Sequence, residues 1–156
     1  MGRNKPGKPR RERPEPEGHA HEGFEIPDDY RDPAGRPVDH KMLGALVGAA
    51  MDSCLSCQDV LTTLLVEDSA TTARLVELTC IAVDDASGGL PRSMTEGGGP
   101  GFAAPEFRRL ATLGVDGGNA EMFEECGRMD VAERRSAVNT ALDFLVARLT
   151  GAMGPL

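Results

Sequence analysis

From residue 38 onward the apolar side chains recur at steps of three and four, and no stretch alternates in the two-residue period of a half-buried strand. Leu43, Val47, Ala50, Cys54, Cys57, Leu61 and Leu64 share one helical face, which predicts a long helix over about 38–66 with Asp39 as its N-cap. Glu67-Asp68-Ser69 interrupts it. Asp68 or Ser69 then caps a second helix to about residue 86, with Leu75, Leu78, Thr79 and Ala82 inward. Ser87-Gly88-Gly89 ends that helix, because glycine accepts the left-handed turn that closes one. After a glycine-rich loop over 87–104, a short helix is expected with Pro105 in its first turn and Gly114 past its end. Asn119 caps another through about residue 128. Asp130-Val131-Ala132-Glu133 has the spacing of a capping box ahead of a last helix striped by Val138, Ala141, Leu142, Leu145 and Leu149. The expected fold is all-α, a small bundle of four to five helices.

Residues 1–37 read differently. Pro recurs at positions 6, 9, 14, 16, 27, 33 and 37 and large aliphatics are scarce, so the segment cannot bury enough apolar area to offset its chain entropy. It is expected to be a disordered tail ahead of one helical domain over 38–156. Phe24, Ile26 and Tyr30 are its exceptions, suited either to docking on the domain or to a short binding motif. The domain lacks Trp, so its core must be built from Leu, Val and Ala with Phe102, Phe107, Phe123 and Phe144.

Charge separates the same two regions. Six basic residues against one acid give residues 1–14 a charge of +5, so within the overall −8 the remainder carries −13. Nucleic acid could meet such a chain only through its basic arm, which lacks the interleaved aromatics that stack bases, and an acidic body repels phosphate. The basic start leads into no apolar run of a secretory signal. The best apolar stretch, Met42 to Met51, is half the length of a membrane span. A cytoplasmic protein with reduced thiols is expected. Its Ala, Gly and Arg bias with only three Lys has the composition of a GC-rich bacterial genome.

The four cysteines are the one set of chemically distinctive residues. Cys54-Leu55-Ser56-Cys57 is a CxxC pair, suited to redox chemistry or, with Cys80 and Cys126 as further ligands, to a metal. A reactive CxxC belongs at a helix N-terminus, whereas the predicted helix places this one at mid-length on its apolar stripe, which favours packing residues. His40 lies fourteen residues before Cys54 on that same helix, about 21 Å away at 1.5 Å per residue, too far to activate it. His19 and His21 fall in the tail and read as solvated. Glu121, Glu124 and Glu125 complement a helix dipole, and Asp84 and Asp85 a frayed helix end. The Gly97–Gly101 run follows no strand and precedes no Gly-Lys-Ser/Thr, so it is no phosphate loop.

With no catalytic constellation emerging, the expected function is a helical protein–protein interaction module, leaning away from an enzyme and needing no cofactor. Self-association as a homodimer is expected through the close-approach pair Gly44 and Gly48 and through Phe102 and Phe107 beside the glycine-rich loop. The alternatives are a nucleic-acid accessory protein using the arm, and a metal or redox protein using Cys54, Cys57, Cys80 and Cys126.

Overall fold

A computed structural model describes His21, Ile26, residues 32–99 and residues 101–151. The Asp39 carboxylate accepts the Met42 amide at 2.9 Å and starts α1, His40–Met51. The chain then turns through Asp52 and Ser53, whose φ of 57° lies in the left-handed region, and restarts at extended Cys54 as α2, Leu55–Leu65. The single helix expected over 38–66 is therefore two, packed against each other. The apolar stripe was blind to the break because its phase continues across it. At its far end it also misassigns the core face: Leu64 is exposed, while Thr62 and Leu65 are buried.

Asp68 accepts from the Ala70 and Thr71 amides and opens α3, Ser69–Ser87, which ends on Gly88 at φ 72°. The one-turn α4, Arg92–Thr95, interrupts the expected loop, and its Met94 is wholly buried. Pro105 begins α5, Pro105–Asp116, which runs through Gly114 to a cap at Gly117. Gly114 does not stop the helix but gives room to a neighbour, since a Cβ there would meet Met122 Cε at 2.5 Å. Gly118, not Asn119, caps α6, Asn119–Arg128. The Asp130–Glu133 capping box is formed at the start of α7, Val131–Leu149.

The result is all-helical, with seven helices among the described residues where four to five were expected; the surplus comes from the split first helix and from α4. α3 lies at the centre, against α7 along much of its length and against α5 and α6 on another side. Leu43, Leu46, Leu75, Phe107, Leu110 and Phe123 fill the space between the layers. The Arg134 guanidinium on α7 donates to the carbonyls of Val66 and Cys126, which lie at the ends of α2 and α6, and so ties both to the bundle. None of these helices is long and apolar enough to cross a membrane.

Three of the four residues expected at a self-association surface are inside the protomer. Gly44 and Gly48 are buried in α1, and Phe107 is fully buried with its ring stacked on Phe144 at 6.0 Å. A residue next to a flexible loop is not thereby exposed: Phe107 sits two positions into a helix whose inward face it forms. Phe102 remains at the surface, 39% exposed.

Several residues ahead of α1 are described. Asp32 is buried, and its carboxylate accepts the amides of Ala34 and Arg36 and pairs with the Arg36 Nε at 2.6 Å. Ile26 packs on the core. Phe24, Tyr30 and the basic residues of the arm lie outside the described residues.

Candidate dithiol site

Cys54 ends up where a reactive thiol belongs. The turn at Asp52–Ser53 makes it the N-cap of α2, and Cys57 follows three residues inside that helix. At a helix N-terminus unpaired amides and the dipole favour negative charge on a nearby sulfur. The Cys57 backbone amide has the largest influence on the Cys54 thiol. The hydroxyl of Ser56, 3.7 Å from its sulfur, and the thiol of Cys57 act in the same direction. Together, and with His21 behind them, they bring Cys54 down to about 7. Burial and the neighbouring Cys54 push the Cys57 thiol upward. The pair is asymmetric in access as well: Cys54 is half-buried, Cys57 only 7% exposed.

A histidine does reach the pair, and it is not His40. His21 Nδ1 lies 2.7 Å from the Asp52 carboxylate, and its ring interacts with the Cys54 thiol. Both contacts raise the imidazole's proton affinity, the Asp52 hydrogen bond most. The ligand atoms of His21, Cys54 and Cys57 all lie within 4.8 Å of one another, the one such grouping of three among the described residues. The solvated-tail reading of His21 fails because its ring lies against Asp52 and Cys54 at the α1–α2 turn. No local pattern announces that contact across 31 residues to Asp52. Asp52 and Ser56 were also missed, since the sequence reading placed them inside a helix.

Cys80 and Cys126 do not join this grouping. Cys126 is fully buried in α6, and burial pushes its thiol up to about 12. Cys80, on α3, is pushed equally high by burial, with Glu77 and Asp84 adding to it. It lines a cleft of about 250 Å³ between α3, α5 and α6. The carboxylate of Glu77 in that cleft is paired with Arg74 at 2.7 Å and accepts a hydrogen bond from Asn119. His40 is buried and accepts from Arg74 Nε at 3.4 Å, which makes it part of this structural network. Of the acidic cluster, Glu125 is engaged by Arg109 and Arg128, while Asp84 and Asp85 are exposed.

Comparison with protein families, with curated proteins and with solved structures finds no match to this chain.

Proposed function

We propose that this protein exchanges electrons with disulfides through the Cys54–Cys57 dithiol. One observation carries the reading: the turn at Asp52–Ser53 sets Cys54 at the N-terminus of α2, accessible, with Cys57 one turn further in and buried. In the forward direction the Cys54 thiolate attacks one sulfur of a disulfide R–S–S–R′. The S–S bond breaks and R′S⁻ leaves, taking up a proton. The Cys57 thiol then loses its proton and attacks Cys54 Sγ in the mixed disulfide, forming the Cys54–Cys57 bond and releasing RS⁻, which is protonated in turn. Two thiols of the protein are oxidised and one external disulfide is reduced to two thiols. His21, held by Asp52, is placed to take and return the Cys54 proton.

The test uses the full chain equilibrated in glutathione buffers of graded potential, quenched with an alkylating agent and mapped by mass spectrometry. The expected product is an intramolecular Cys54–Cys57 disulfide in equilibrium with the dithiol. Cys57→Ser should trap a mixed disulfide on Cys54, and Cys54→Ser should abolish exchange. Both thiols remaining reduced in buffers that oxidise free cysteine would overturn the proposal.

A second reading, a protein-contact surface, draws on a separate observation. Leu55, Val60 and Leu64 of α2 are 75%, 54% and 53% exposed. Apolar side chains at that exposure favour a partner on this helix, a second copy of the chain being the simplest.

A further inference from the structure

The reduced site has a second capacity that thiol exchange does not require. Two sulfurs and one imidazole converge within 4.8 Å. Around a tetrahedral ion with bonds of about 2.0–2.3 Å, ligand atoms stand roughly 3.3–3.8 Å apart. The side chains therefore need to close by about 1.5 Å at most, a small rotation for groups at a helix start and ahead of α1. His21 Nδ1 faces a carboxylate at 2.7 Å. Metal-ligating histidines are oriented in this way: Nδ1–H donates to a carboxylate, which fixes the tautomer and places the lone pair on Nε2. Nε2 of His21 is a buried atom.

We propose that the reduced protein binds one Zn²⁺ through Cys54 Sγ, Cys57 Sγ and His21 Nε2, with Asp52 holding the imidazole and the fourth position open on the exposed side of Cys54. Zinc is favoured over a cuprous ion by charge. Two thiolates and a neutral imidazole neutralise a dication, whereas a monocation would leave a net negative site beside Asp52. Binding converts two thiols to thiolates and releases two protons, with no change in oxidation state. Disulfide formation removes both sulfur ligands, so the oxidised form cannot hold the ion. The three-ligand set also differs from a closed structural site, which would need a fourth protein ligand.

The probe is Co²⁺ added to the full-length reduced protein under anaerobic conditions, then displaced by Zn²⁺. The expected spectrum shows one equivalent with the intense d–d bands of a tetrahedral site and a thiolate-to-cobalt charge-transfer band. His21→Ala and Cys57→Ser should each weaken binding at least 10-fold, and Asp52→Asn by about 10-fold. A Cys80→Ala/Cys126→Ala double variant should bind as the parent does. Helical circular dichroism of each variant separates lost binding from lost fold. Weak octahedral bands, unchanged affinity in His21→Ala, or loss of binding in the Cys80/Cys126 variant would each overturn the zinc site. The two proposals fail separately: glutathione equilibration reports only on the disulfide, and cobalt spectra only on the metal.

Discussion

Ser53 adopts a left-handed backbone at φ 57°, where an L side chain crowds the following carbonyl at a cost of about 1–2 kcal/mol. The strained turn is what separates α1 from α2 and delivers Cys54 to a helix start. Ser53→Gly should therefore stabilise the protein by up to about 1 kcal/mol, and Ser53→Val should destabilise it by about 1–2 kcal/mol. Urea denaturation of the two variants checks this; equal stabilities would mean the turn is unstrained. The cysteines make a second residue-scale prediction. Cys80 and Cys126 are held protonated by burial, with thiols near 12, so an alkylating agent at neutral pH should leave both unmodified in the native protein. Cys54 should be labelled first, and Cys80 and Cys126 only with unfolding. Mass-mapped labelling of native Cys126 at the rate of Cys54 would contradict the packing that surrounds it.

At the scale of elements, α5, α6 and α7 are joined by contacts of very different worth. Phe107 is fully buried between α5 and α7 and stacks on Phe144, so Phe107→Ala should cost about 3–5 kcal/mol. That loss belongs to the protomer and would appear as a fall in melting temperature at any concentration. The ion pair between Arg109 on α5 and Glu125 on α6 is 2.8 Å long and partly exposed, and it should contribute less than about 1 kcal/mol. Its pH dependence has a definite sign. The Arg109 hydrogen bond, with Arg128 assisting, holds the Glu125 carboxyl below its ordinary value of 4.5. Its stabilisation is therefore complete above pH 4.5 and is lost as the pH falls through the lower, folded value. Glu125→Gln should be slightly less stable than the parent at neutral pH and equal to it in strong acid. A difference that grows on acidification, followed by thermal melts across that range, would reverse the assignment.

For the molecule as a whole, the segment before α1 is tied to the bundle at several points. Asp32 is buried in its own turn, Ile26 packs on the core, and His21 reaches Asp52 and Cys54. Deleting residues 1–37 should leave the helices formed but lower the melting temperature measurably and abolish tight cobalt binding. An unchanged melting temperature would show that these contacts contribute nothing. Self-association, if α2 carries it, should be visible as a dimer in light scattering at micromolar concentration. Val60→Asp/Leu64→Asp should then give a monomer with its helicity intact. A parent that is monomeric at every concentration and salt would leave the exposed face of α2 to some other partner.

The starts of α1, α3 and α7 were legible along the chain because their caps are local. Asp39, Asp68 and Asp130 each accept an amide two or three residues ahead, and nothing distant is needed for that. The all-helical class followed from apolar spacing for the same reason. The break at Asp52–Ser53 was not legible, since the stripe kept its phase across it and Ser53 carries no glycine's signature of a left-handed turn. Gly114 was misread as a stop because a glycine that ends a helix and one that admits Met122 look alike in one dimension. The site depends on both kinds of information. The CxxC spacing is local, but its placement at the head of α2 and the arrival of His21 and Asp52 beside it are tertiary facts. Local sequence sets which backbone hydrogen bonds can form within a few residues. Which side chains meet across 31 residues is decided by how α1, α2 and the preceding segment pack, and only the folded chain specifies that.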